Sequence, residues 1–136
     1  MEMTKWMRPG GPLVALLLWA ACAKVGDPLP PARVLPAVQD LRIEADARRV
    51  LLTFPLPRAE VSALEVWLAC GQDGPAEDDF RLSAAVPVAR LVPSRQDPQL
   101  RTFVTERSRA QPCHYRIRFV DPSGARSAFS NTVRTP

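Results

Sequence analysis

The sequence predicts an all-β protein, a sandwich of two antiparallel sheets, and three observations predict it. From Val38 onward, short runs rich in β-branched and aromatic residues alternate with turn residues, the spacing that sandwiches need. The run CHYRIRFV (113–120) alternates strictly, setting Cys113, Tyr115, Ile117 and Phe119 against His114, Arg116 and Arg118, the period of a strand with one face buried. No stretch sustains a helical period. The nearest competitor, RAEVSALEVWLA (58–69), ends in residues that favour a strand.

The chain has 136 residues, enough for one domain with accessories. Its hydrophobic share of 46% is that of an ordinary globular domain. The formal charge is +4 and the pI about 9.5. The arginines are scattered among acids, so no basic stripe forms and a nucleic-acid partner is not expected.

The first element is not part of the sandwich. Lys5 and Arg8 precede an apolar stretch, Leu13 to Leu18 with Trp19, Ala20 and Ala21, which ends at Cys22. A membrane-spanning helix needs about 20 apolar residues, and this stretch is too short. It has the charged, apolar, small-residue order of an export signal over residues 1–21. Residues 22–37 follow as a spacer, because the prolines at 28, 30, 31 and 36 favour extended polyproline geometry.

The sandwich itself is expected over 38–136. Its strands read as VQDLRIE (38–44), RRVLLTF (48–54), LEVWLAC (64–70) and CHYRIRFV (113–120). SAFSNTVR (127–134) is expected to be the last strand, after a DPSG turn (121–124). Between 71 and 105 strands are expected near Phe80–Val86 or Val88–Val92 and near Leu100–Thr105. The expected core is Leu41, Ile43, Leu52, Phe54, Val66, Leu68, Tyr115, Ile117, Phe119 and Val133.

Two resemblances add to this reading. Ala20, Ala21 and Cys22 match the end of the lipobox of bacterial lipoproteins, although Trp19 stands where leucine is usual. The resemblance implies that Cys22 is lipidated through its thiol and becomes the first residue after cleavage. With Ala23 rather than aspartate next, it implies the outer membrane. A plain export signal with an incidental cysteine is the alternative. Second, HYRIRFVDPSGARSAFSNTV (114–133) resembles the last hairpin of a fibronectin type III domain, at Tyr115, Arg116, Ile117, Arg118, Val120, Asp121, Gly124, Ser127, Ser130, Asn131 and Val133. VLLTFPLP resembles that family's second strand and LEVWLAC its third. Cys113 stands where the family often has the tyrosine of its corner motif.

In that fold the third and sixth strands are antiparallel neighbours. The resemblance therefore implies that Cys70 lies beside Cys113 and that the two form a disulfide, which export favours; two buried free thiols are the alternative. The same strands would turn Glu65, Trp67, Arg116 and Arg118 outward. Tryptophan and arginine are the residues of interface hot spots, so these four are the expected partner-binding face; a cation–π and ion-pair ladder that only dresses the sheet is the alternative.

Little else carries chemistry. AEDDF (76–80) lacks the spaced ligands of a calcium loop and reads as a solvated turn. PSGARS (122–127) is a turn, not a phosphate cradle. There is one histidine, His114, and no C-x-x-C, so no metal or cofactor is expected. His114 beside Cys113 has no evident third group to orient it as a base, and no catalytic residue or small-molecule substrate is assigned. The expected function is that of a lipid-anchored envelope lipoprotein, not an enzyme, whose fibronectin type III-like domain binds or scaffolds an envelope protein. The alternative is an accessory lipoprotein of outer-membrane or lipopolysaccharide-transport assembly acting through its N-terminal segment, since CAKVGDPLPP (22–31) is similar to the start of such proteins.

Overall fold

The computed structural model describes residues 35–136; Cys22 and most of the Pro-rich stretch lie outside them. The strands are β1 (Arg42–Ala45), β2 (Arg49–Pro55), β3 (Ala63–Cys70), β4 (Arg81–Pro87), β5 (Val92–Pro93), β6 (Leu100–Glu106), β7 (Cys113–Val120) and β8 (Val133–Arg134). Two four-stranded antiparallel sheets result, one ordered β1-β2-β6-β5 and the other β4-β3-β7-β8.

Period two decides which residues meet between the sheets. Val50, Leu52 and Phe54 of β2 face Leu64, Val66, Tyr115, Ile117 and Phe119 of β3 and β7, all essentially inaccessible. Each such side chain contributes about 1.5–3 kcal/mol on burial. Phe54 and Phe119 meet edge to face across the interface at 6.0 Å. Seven of the ten expected core residues are buried; Ile43, Leu68 and Val133 pack against them while keeping partial exposure. Leu35 and Val38, ahead of the first strand, are buried as well.

Two expectations need correction. The run 38–44 is strand only from Arg42, while Val38 and Leu41 fill the core without joining a ladder. The run 127–134 is strand only at Val133–Arg134. The segment before it is stretched along β7, so its own carbonyls do not meet every N–H that β7 presents. Side-chain hydroxyls take their place: Ile117 N–H donates to Ser130 Oγ (2.9 Å), Phe119 N–H to Ser127 Oγ (3.0 Å) and Cys113 N–H to Thr135 Oγ1 (3.0 Å). Backbone bonds return from Ser127, Ser130 and Thr135 N–H to the carbonyls of the same three residues. The backbone N–H and C=O groups of Cys113, Ile117 and Phe119 are thus paired without a regular strand.

In the middle region, β4 matches the first of the two alternatives, and Val88–Arg90 forms a 3-10 turn rather than a strand. Between Val66↔Ala84 and Trp67↔Leu82 the register slips, leaving Ser83 as the extra residue of a bulge. At the DPSG turn, Asp121 Oδ1 accepts from the N–H groups of Ser123 and Ala125 at 2.9 Å each, and Gly124 takes φ +90°, a conformation glycine adopts without steric penalty.

Candidate functional site

The chemistry-bearing side chains gather on the outer face of the second sheet. Because Val66 and Ile117 point inward, their neighbours Glu65, Trp67, Arg116 and Arg118 point outward, and the register sets Trp67 opposite Arg116 and Glu65 opposite Arg118. Glu65 and Arg116 are nevertheless buried, at 6% and 7% exposure. Residues from outside these strands cover them. Phe129, from the stretched final segment, and Phe80, before β4, sandwich the Arg116 guanidinium at 3.8 and 4.0 Å. The Arg118 guanidinium lies between Phe129 (4.5 Å) and Trp67 (5.0 Å), and Trp67 meets Phe129 edge to face at 5.6 Å. The result is an alternating stack, Phe80–Arg116–Phe129–Arg118–Trp67.

Carboxylates complete it. Glu65 accepts hydrogen bonds from Arg118 Nε (2.6 Å), Arg126 Nε (3.2 Å) and Trp67 Nε1 (3.2 Å). Burial by itself would raise the Glu65 pKa, but the bonds from Arg118, Trp67 and Arg126 outweigh it and hold the carboxyl below its ordinary range. Arg116 Nη1 donates to Glu77 Oε2 at 2.8 Å. The four residues singled out in the sequence do meet in space. Phe80, Phe129, Glu77 and Arg126, which cover and pair them, are not assigned to this face by the sequence; AEDDF reads there as a solvated turn, yet its Phe80 is buried and its Glu77 pairs with Arg116. An aromatic amid serines, in SAFSN, was the signal that Phe129 has a surface to cover.

Cys70 and Cys113 are joined, directly opposite in register with Cα atoms 4.1 Å apart. The bridge closes the ends of β3 and β7 and removes Cys113 as a nucleophile. His114, beside it, is buried at 7% exposure, and its Nδ1 has no partner among the described residues. Tyr115 sits in the core, its hydroxyl likewise unpartnered, and burial raises its pKa. In AEDDF, residues Glu77–Asp79 form a 3-10 turn in which Asp79 Oδ2 accepts from Ala76 N–H (2.7 Å). No group of three histidine, cysteine or acidic side chains is placed to hold a metal among the described residues.

The first sheet presents a different outer face. Leu51 lies opposite Val104, and Thr53, Thr102 and Val92 form the next row. Val104 and Val92 are 51% and 62% exposed. A shallow groove of about 220 Å³ runs beside Leu51, Thr102 and Val92, bounded by Pro93 and Arg95.

No family model and no curated protein matches the chain. Solved structures do. Pectate lyase PelI from Erwinia chrysanthemi, crystallised with tetragalacturonic acid, is 18% identical with a TM-score of 0.51, over 72% of this chain and 27% of that one. Pectate lyase Pel3 from Pectobacterium carotovorum is 14% identical with a TM-score of 0.55, over 74% and 26%. A β-1,2-glucanase from Parabacteroides distasonis is 16% identical with a TM-score of 0.52, over 79% and 13%. The chain spans about a quarter or less of the length of these enzymes. At such identity the likeness is one of fold, and fold does not carry activity with it.

Proposed function

We propose that the chain is an exported, lipid-anchored binding or scaffolding module of the cell envelope, a fibronectin type III-like sandwich on a Pro-rich stalk that does no chemistry of its own. The strand order is the observation that carries the fold half. With the two-residue β5 set aside, β7 is the sixth strand, and it pairs antiparallel with the third, β3, through the Cys70–Cys113 bridge. This supports the fibronectin type III reading of residues 114–133.

The allocation of reactive groups supports the non-catalytic half. Both cysteines of the described domain are in a disulfide, Glu65 accepts three hydrogen bonds, Glu77 pairs with Arg116, and Asp79 and Asp121 hold turns. These groups are spent on structure. The anchor rests on the sequence Ala20-Ala21-Cys22, outside the described residues; acyl chains bind membranes at about 0.8 kcal/mol per buried methylene.

Three measurements test the proposal. Cys22→Ser is expected to lose palmitate labelling and cleavage before residue 22; a wild-type chain that takes up no palmitate overturns the anchor. Incubation of the full chain with polygalacturonate, the substrate class named for the pectate lyases, is expected to release no product; release overturns the non-catalytic reading. Photo-crosslinkers at Thr53 and Trp67, one on each sheet, are expected to give discrete protein adducts in cells. Adducts from neither face overturn the binding role.

A further inference from the structure

We propose that the outer face of the first sheet docks a second copy of this chain. The inference rests on the binding-module reading and names its partner. The two outer faces of the sandwich differ. That of the second sheet is covered around Glu65 and Arg116 by Phe80, Phe129 and Arg126 from its own chain, which among the described residues leaves Leu82 alone as an exposed large apolar residue there, beside Trp67. On the first sheet Leu51, Thr53, Thr102, Val104 and Val92 form a charge-free centre, with Val104 and Val92 more than half exposed.

Charge complementarity identifies the occupant. The charges around that centre are Arg42 and Glu44 on β1, Arg49 and Glu106, which lie opposite each other on β2 and β6, Asp46 beside Arg49 and Leu51, and Arg95 beside the groove. They are three of each sign, on a chain whose formal charge is +4, so this face does not repel its own copy. Arg49 and Glu106 are exposed and make no ion pair with any described residue.

The register makes the face self-complementary. Its cross-strand pairs are Arg49↔Glu106, Leu51↔Val104 and Thr53↔Thr102. A two-fold axis parallel to the strands, between β2 and β6, lays β2 of one copy over β6 of the other. Each outward residue of β2 then lies over its own cross-strand partner on β6 of the second copy, Arg49 over Glu106, Leu51 over Val104 and Thr53 over Thr102, while the stem of Arg42 on β1 lies over Val92 of β5. The contact is isologous and stacks two sheets at about 10 Å, as sheets pack face to face. Its four strands, two of them short, offer a footprint of roughly 300 Å² by strand spacing and rise, well under the ~800 Å² per partner of a standard complex. The dimer is therefore weak and exchanging, and a shared membrane plane would strengthen it by raising effective concentration.

Sedimentation equilibrium of the full chain in excess detergent micelles tests this over a concentration series. Wild type is expected to rise in apparent mass toward a dimer. Arg49→Glu places Glu over Glu106, and Glu106→Arg places Arg over Arg49, so each variant alone is expected to associate about tenfold or more weakly. An equimolar mixture of the two restores both opposite-charge contacts and is expected to associate at least as tightly as wild type, which no effect within a single chain can produce. A wild type that stays monomeric throughout, or a mixture no better than its components, overturns the dimer. Either result is distinct from failure of the binding-module reading, which is read from palmitate labelling and from crosslinks to other proteins.

Discussion

The side-chain amide of Asn131 closes on the backbone of Leu41 from both sides: Leu41 N–H donates to Asn131 Oδ1 at 2.9 Å, and Asn131 Nδ2 donates to the Leu41 carbonyl at 3.0 Å. The two residues are 90 positions apart. The contact ties the lead-in of β1, in one sheet, to the stretched segment that lies along β7 in the other. It gives hydrogen-bond partners to a stretch of backbone that joins no ladder.

Asn131→Ala removes both bonds at once. At about 1 kcal/mol net for each, the expected loss is roughly 2 kcal/mol, read as a lower urea midpoint with unchanged slope. Asn131→Asp keeps the acceptor and loses the donor, and is expected to fall between the two. An unchanged midpoint for Asn131→Ala would show that the lead-in is held by Val38 and Leu41 packing alone.

The Cys70–Cys113 bridge closes a loop of 43 residues. In the chain-entropy account such a loop stabilises by roughly 4 kcal/mol. Paired replacement by serine is expected to lower the denaturation midpoint by an amount of that order. Unfolding without reductant is expected to expose no thiol from these two positions, and two titratable thiols in a Cys22→Ser background would contradict the bridge.

Glu65 gives the stack a pH dependence. Its folded pKa is depressed below the ordinary carboxylate value, so the unfolded chain takes up the proton first as pH falls. Its stabilising contribution is complete above the unfolded pKa of about 4.3 and fades as pH drops through the lower folded value. Glu65→Gln is expected to lower stability at pH 7 and to flatten the acid limb of the stability curve. An acid limb identical to wild type would assign it to other carboxylates.

Tyr115 leads to the opposite expectation. Its hydroxyl is buried without a partner among the described residues, and such a group destabilises by about 1–3 kcal/mol. Tyr115→Phe is expected to be neutral or stabilising by about 1 kcal/mol, measured as a rise in melting temperature. A clear loss of stability would mean that a bound water satisfies the hydroxyl in solution.

The sequence by itself determined the class of the fold, most of the strands and the inward face of each, because a period of two is written in consecutive residues and needs no partner to be read. CHYRIRFV alternates whatever lies beside it. It also determined that Glu65, Trp67, Arg116 and Arg118 share a face, once β3 and β7 are taken as neighbours. Only the tertiary structure decided that Glu65 and Arg116 on this face are covered. Phe80 and Phe129 reach it from turns and from a stretched segment, where no local periodicity says which way a side chain points. The same cause explains the last strand: the hydroxyls of Ser127, Ser130 and Thr135 replace carbonyls only because β7 presents N–H groups at that spacing, and pairing of that kind exists between segments rather than within one.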